Sequence, residues 1–196
     1  SFEGGYRLDV DALAARIRPE TRYVSITLPH NPTGSMIPET DLRRLIEIVE
    51  AKGCYLLVDE TYREMGYTAI LPIAASLSRR VISVSSLSKT YGLPGIRLGW
   101  LITQDDALRE TFLAAKEQIF INTSVLDETA AYQYLLNKDE HLARIKTMIQ
   151  QRLQIMRDWM AEEPLMEWVE PQGGVVCFPR VIASAQVDMD QFYKLL

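Results

Sequence analysis

Along the first half of the chain, short apolar runs alternate with polar clusters and with one long amphipathic stretch. Residues 22–28 (R-Y-V-S-I-T-L), 54–59 (C-Y-L-L-V-D) and 81–86 (V-I-S-V-S-S) are rich in β-formers and end in polar residues, which predicts three strands. Between the first two, P-E-T-D-L-R-R-L-I-E-I-V-E-A-K-G puts Leu42, Leu45, Ile46 and Val49 on one face of a helix. Pro38 and the acidic Glu39 and Asp41 mark its start, and Gly53 just past Lys52 marks its stop. Residues 97–103 predict a fourth strand. No helix separates it from its predecessor, so it need not run parallel to it.

The second half reads as more helical. Residues 105–118 and 124–137 fit helices, and 139–161 carries Leu142, Ile145, Ile149, Leu153, Met156 and Met160 on one stripe, ending before Pro164. Met148, Met156, Met160 and Trp159 read as core filler. A short strand near 166–170, a P-Q-G-G turn, a strand at 174–178 and a helical start at 188–196 complete the pattern. Strands alternating with helices predict an α/β fold in three layers, a mostly parallel sheet covered on both faces. From residue 139 a smaller α+β domain begins.

The bulk numbers narrow the function classes. The 196 residues are 47% hydrophobic with a formal net charge of −5, an ordinary globular balance. Charges are scattered and mildly acidic overall, which argues against a nucleic-acid surface. Cys54 and Cys177 lie far apart within apolar runs and read as small buried hydrophobes. With only His30 and His141 as histidines, a structural metal site has almost no ligands to draw on, and none is expected. No apolar stretch approaches a membrane span and no signal region opens the chain, so the expectation is no membrane partner and a cytoplasmic location.

Each strand ends in a polar cluster: P-H-N-P-T-G, D-E-T-Y and S-S-L-S-K. In mostly parallel sheets, chemistry collects beyond the carboxyl ends of the strands. Lys89 alone would read as a solvated surface cation. Yet a strand delivers it, Ser85, Ser86 and Ser88 surround it, and Gly92, Pro94 and Gly95 shape a tight loop after it. Lysines that form Schiff bases need partial desolvation or nearby positive charge, and hydroxyls with Arg97 make an anion pocket. Asp59 either caps a following helix or faces inward to hold a cationic ring nitrogen protonated. Tyr62 would share its side if a helical turn follows. Asn31 either shapes a turn or offers its amide to a ligand oxygen. His30 receives no role.

Taken together and in order, P-H-N-P-T-G, V-D-E-x-Y, S-x-S-K with an arginine eight residues on, and a later G-G turn resemble the class I/II aminotransferases, pyridoxal-phosphate enzymes of fold type I. The resemblance runs from residue 1 to beyond 178. It implies that Lys89 holds pyridoxal 5'-phosphate as a Schiff base and later shuttles a proton. Asp59 would pair with the ring nitrogen, so that the ring acts as an electron sink. Asn31 and Tyr62 would hydrogen-bond the ring's phenolic oxygen, and Ser86, Ser88 and Arg97 would contact the phosphate. Gly173 and Gly174 would bring backbone near the substrate.

The resemblance further implies small amino-acid and 2-oxo-acid substrates, a homodimer, and an aminotransferase reaction. Alternatives are another reaction on the same fold, a β-lyase or an amino-acid cyclase, or a non-catalytic ligand-binding fragment. Residues 1–138 would be part of the large cofactor-binding domain, and 139–196 a linking helix with part of the small domain. Family members run to roughly twice this length. The expectation is therefore a fragment, without the phosphate-binding glycine loop, the ring-stacking aromatic and the arginine that grips the substrate α-carboxylate.

Overall fold

The computed structural model describes residues 1–182 and 187–195. Its centre is a sheet of β1 (Tyr23–Thr27), β2 (Tyr55–Asp59), β3 (Val81–Ser86) and β4 (Gly99–Thr103), in that spatial order. The first three strands are parallel and β4 runs antiparallel to β3. The loop at 87–98 that joins β3 to β4 holds a single 3₁₀ turn and no α-helix to carry a parallel crossover, and β4 returns antiparallel. The register aligns Thr27 with Asp59 and Asp59 with Val84, so the polar strand ends stand side by side along one edge.

The helix α2 (Glu39–Lys52) forms as its pattern predicts. Pro38 is its N-cap, and Gly53 at φ 72° closes it in the left-handed conformation that glycine takes without strain. Leu42, Leu45, Ile46 and Val49 are buried with Val24, Ile26, Leu56, Val58 and Val81 of the sheet, which makes the main core. Before it, α1 (Val10–Ala14) is too short for periodicity to reveal; the Asp9 carboxylate caps it by accepting the Ala12 N–H at 2.9 Å. Single turns of 3₁₀ helix at Arg63–Met65 and Ala74–Ser76 break the path from β2 to β3.

Helices α3 (Asp106–Ile119), α4 (Val125–Leu136) and α5 (Lys138–Glu162) follow within a residue or two of expectation. A second buried cluster of Met65, Leu87, Tyr91, Ala131 and Leu142 ties the lysine loop to α4 and the start of α5. On α5, Leu142, Leu153 and Met160 are buried as the stripe requires. Met148 (39% exposed) and Trp159 (45%) are not core filler, because they flank the stripe rather than lie on it. Cys54 is buried, whereas Cys177 is only half-buried at a cavity edge.

The C-terminal strands differ from expectation. Pairing joins β5 (Met166–Glu167) to β6 (Arg180–Val181), and residues 174–178 form no strand. The P-Q-G-G turn explains this, because its N–H groups are already spent on loops. Those of Gln172 and Gly173 donate to the Gly34 carbonyl at 2.8 and 3.1 Å, and that of Gly174 to the Met65 carbonyl at 2.9 Å. Gly173 makes a single bridge to Gly66. The expected terminal helix is α6 (Met189–Leu195); residues 183–186 and 196 of the second predicted domain lie outside the described residues.

Candidate active site

The site grows from three strand ends. β3 finishes at Ser86, and the chain beyond it closes on itself. The Leu87 N–H donates to the Leu98 carbonyl (3.0 Å), Leu93 N–H to the Leu87 carbonyl (2.9 Å), and Gly92 N–H to the Lys89 carbonyl (3.0 Å). Leu87 is buried and anchors the loop, while Ser86, Ser88 and Lys89 face outward from it. The Ser88 N–H donates to Ser86 Oγ at 3.3 Å. Arg97 takes a left-handed φ of 58° at the loop's end, and its Nη1 donates to the Pro94 carbonyl at 2.9 Å.

β2 delivers Asp59, whose Oδ1 accepts the Thr61 N–H at 2.9 Å. This is an Asx turn rather than a helix cap, so the helix-capping alternative does not apply. Tyr62 follows and is buried. Burial pushes its phenol above the ordinary range and the negative charge of Asp59 adds to the effect, which keeps the hydroxyl a proton donor. Beyond β1, the N-P-T-G loop is closed by the Gly34 N–H donating to the His30 carbonyl at 2.7 Å. Its crest presents Asn31.

All seven residues singled out from the sequence line one cavity of about 590 Å³: Asn31, Asp59, Tyr62, Ser86, Ser88, Lys89 and Arg97. Thr27, Thr61 and Pro94 complete it. Lys89 also lines a neighbouring, mostly apolar cavity of about 340 Å³ walled by Ile149, Leu153 and Met156 of α5. Gly173 and Gly174 line neither cavity. A Cβ on Gly173 would stand 2.7 Å from Pro29 Cγ and 2.9 Å from the Met65 carbonyl oxygen, so the pair packs behind the Asn31 loop. His30 Nδ1 shares a hydrogen bond with Thr33 Oγ1 at 2.8 Å and stays out of the site.

The donor set suits a phosphorylated aromatic aldehyde. It comprises a carboxylate for a protonated ring nitrogen, a neutral phenol and an amide for a ring oxygen, two hydroxyls and a guanidinium for a phosphate, and an amine for the carbonyl carbon. The volume lies in the range of small-molecule sites. Sequence reasoning missed Thr27 and Thr61. Thr27 was legible as the polar end of a strand; Thr61 acts through its backbone, which side-chain patterns do not show.

A sequence profile of the family described as aminotransferase class I and II matches residues 2–196. Capreomycidine synthase from Streptomyces vinaceus is 30% identical over 94% of this chain and 48% of its own length. Aspartate aminotransferase from Geobacillus stearothermophilus is 25% identical over 97% of this chain and 51% of its own. Among solved structures, a PLP-dependent aminotransferase from Streptococcus suis superposes with a TM-score of 0.90 at 31% identity, covering 98% of this chain and 50% of that one. The chain thus spans about half the length of the curated relatives it matches.

Proposed function

Because the chain belongs to the class I and II aminotransferases, we propose that it forms part of a pyridoxal-phosphate-dependent enzyme that moves an amino group from an amino acid to a 2-oxo acid. The amino acid leaves as its 2-oxo acid and the acceptor leaves aminated, so the exchange balances without an outside oxidant. The observation that carries the reading is the single cavity lined by Lys89 together with Asp59, Asn31, Tyr62, Ser86, Ser88 and Arg97.

Pyridoxal phosphate, when bound, supplies an electron sink for the bonds at the substrate α-carbon. In this reading Asp59 holds the ring nitrogen protonated through its opposite charge. Tyr62 and Asn31 donate to the ring oxygen; the raised phenol keeps Tyr62 in the donor form across the neutral range. Ser86, Ser88 and Arg97 bind the phosphate. Lys89 Nζ would hold the cofactor covalently and would carry a proton between the substrate α-carbon and the cofactor's aldehyde carbon. The apolar cavity beside Lys89 leaves that nitrogen little competition from polar groups on one side.

Residues 1–138 are assigned to the large domain, and 139–196 to a linking helix and part of the small domain. The buried cluster that joins the lysine loop to the start of α5 supports the linking role. A cytoplasmic homodimer completes the proposal and rests on the family alone. A second reading, another pyridoxal-phosphate reaction on the same site, is favoured by the relative named as a synthase rather than an aminotransferase.

Borohydride reduction of the loaded whole protein, followed by peptide mass analysis, is expected to place the cofactor on Lys89. Lys89→Ala is expected to retain the cofactor's phosphate-site binding but lose turnover. Label on another lysine, or near-normal turnover in that variant, would refute the assignment. Feeding an amino acid with a 2-oxo acid separates the two readings: paired exchange supports transfer, and conversion of the amino acid with no aminated acceptor supports the alternative, with ammonia released if it is a lyase.

A further inference from the structure

Beyond the residues that face the cavity, one side chain links its two chemically distinct ends. Glu60 N–H makes the last ladder bond between β2 and β3, donating to the Val84 carbonyl at 2.8 Å. Past that point the two strands diverge, and side chains bridge the gap. Ser85 Oγ donates to the Glu60 carbonyl at 3.3 Å, and Thr90 Oγ1 donates to the Thr61 carbonyl. Thr61 is held at both ends, since its N–H donates to Asp59 Oδ1. An unbroken path therefore runs from the Asp59 carboxylate through the Thr61 backbone to the Thr90 hydroxyl, and Thr90 is the next residue after Lys89 in the chain.

Thr90 is 1% exposed, so its hydroxyl is committed to this bond rather than to bulk water. It does not line the cavity that holds Lys89 and Asp59, but sits behind it, against a separate cavity of about 260 Å³ shared with Glu60, Thr61 and Tyr91. We infer that Thr90 is a positioning residue: its hydroxyl locks the lysine loop to the end of β2 and so sets where Lys89 Nζ stands relative to Asp59. The inference rests on the reading of the site given above. Its physical basis is that the loop's own hydrogen bonds fix its shape and buried Leu87 and Tyr91 pack it down without direction, whereas the Thr90 hydroxyl ties it by a directional bond to the residues after Asp59. The ladder partner of Asp59 is Val84, five residues short of Lys89. Misplacement by about 1 Å costs a reaction of this kind up to about a hundredfold.

The test compares Thr90→Val and Thr90→Ser in the whole protein loaded with pyridoxal phosphate. Valine matches threonine in shape, leaves no room for a replacement water, and strips the Thr61 carbonyl of its donor; serine keeps the donor. The readouts are the pH midpoint of the Lys89-linked absorbance, kcat and KM separately, and Tm. Thr90→Val is expected to shift the midpoint and lower kcat about tenfold or more with KM changed less, while Thr90→Ser restores both. If Thr90→Val does not fold, Thr90→Ala, which also removes the donor to the Thr61 carbonyl, carries the same expectation. A lowered Tm with midpoint and kcat unchanged, or a serine variant that behaves like valine, overturns the inference and leaves the site reading intact. Absence of any Lys89-linked absorbance in the unmutated protein overturns the site reading itself, and this inference with it.

Discussion

Glu60, next to Asp59, is a buried carboxyl that the chemistry does not use. It accepts the Ala74 N–H at 2.7 Å and so holds the start of a 3₁₀ turn. Burial lifts its pKa above the ordinary 4.5, against the opposing pull of the Ala74 N–H, Arg63 and Ser83. The folded chain therefore keeps the proton to higher pH than the unfolded chain. Its stabilising contribution is full below about pH 4.5 and is lost as pH rises through the folded value. Glu60→Gln keeps an acceptor and removes the titration, so its stability relative to the unmutated protein is expected to grow from pH 4 towards pH 7 (roughly, the window set by burial-raised carboxyls). Urea unfolding at several pH values checks this, and a difference that stays flat with pH would contradict it. At this scale the sequence made Asp59, Lys89 and their companions legible because strand ends and turn chemistry mark them. Glu60 and Thr90 stayed hidden, since their partners are backbone groups 14 and 29 residues away.

Between elements, the decisive contact is the docking of the P-Q-G-G turn onto the N-P-T-G loop. Gly34 sits at φ +67°, and a Cβ there would lie 2.3 Å from Pro171 Cβ. The Gly34 carbonyl also accepts two N–H groups of the turn. Gly34→Ala must therefore pay for a left-handed backbone, about 1–2 kcal/mol, and push the turn away as well. The expected outcome is a Tm lower by about 2–4 °C for each kcal/mol lost in a chain of this size. Faster hydrogen exchange at the N–H groups of Gln172 and Gly173 should accompany it. An unchanged Tm with unchanged exchange would mean that the docking carries no weight. The same contact bears on why 174–178 form no strand: a short apolar run needs a ladder partner, and here the preceding turn has bound the chain to loops instead.

For the molecule as a whole, the described surface exposes a group of large apolar side chains where α3 gives way to α4. Ile119, Ile121, Val125 and Leu126 are at least 73% exposed, between α3 and α4. They lie close to a broad cleft of about 1000 Å³ that runs over β4. Apolar surface of this kind drives association. Residues 1–196 in isolation are expected to self-associate, and the double variant Val125→Asp with Leu126→Asp to do so less, as light scattering against concentration would reveal; equal scattering from both would count against it. The sequence by itself determined the four strands of the main sheet and the main helices, and it singled out the seven side chains that line one cavity, because periodicity and turn residues are local signals. Only the tertiary structure decided that three strand ends meet in register, that Thr90 reaches the backbone of β2's end, and that the glycine turn packs behind the Asn31 loop. Those are contacts between residues far apart in the chain, and their geometry is set by packing and hydrogen-bond satisfaction rather than by any pattern a single segment carries.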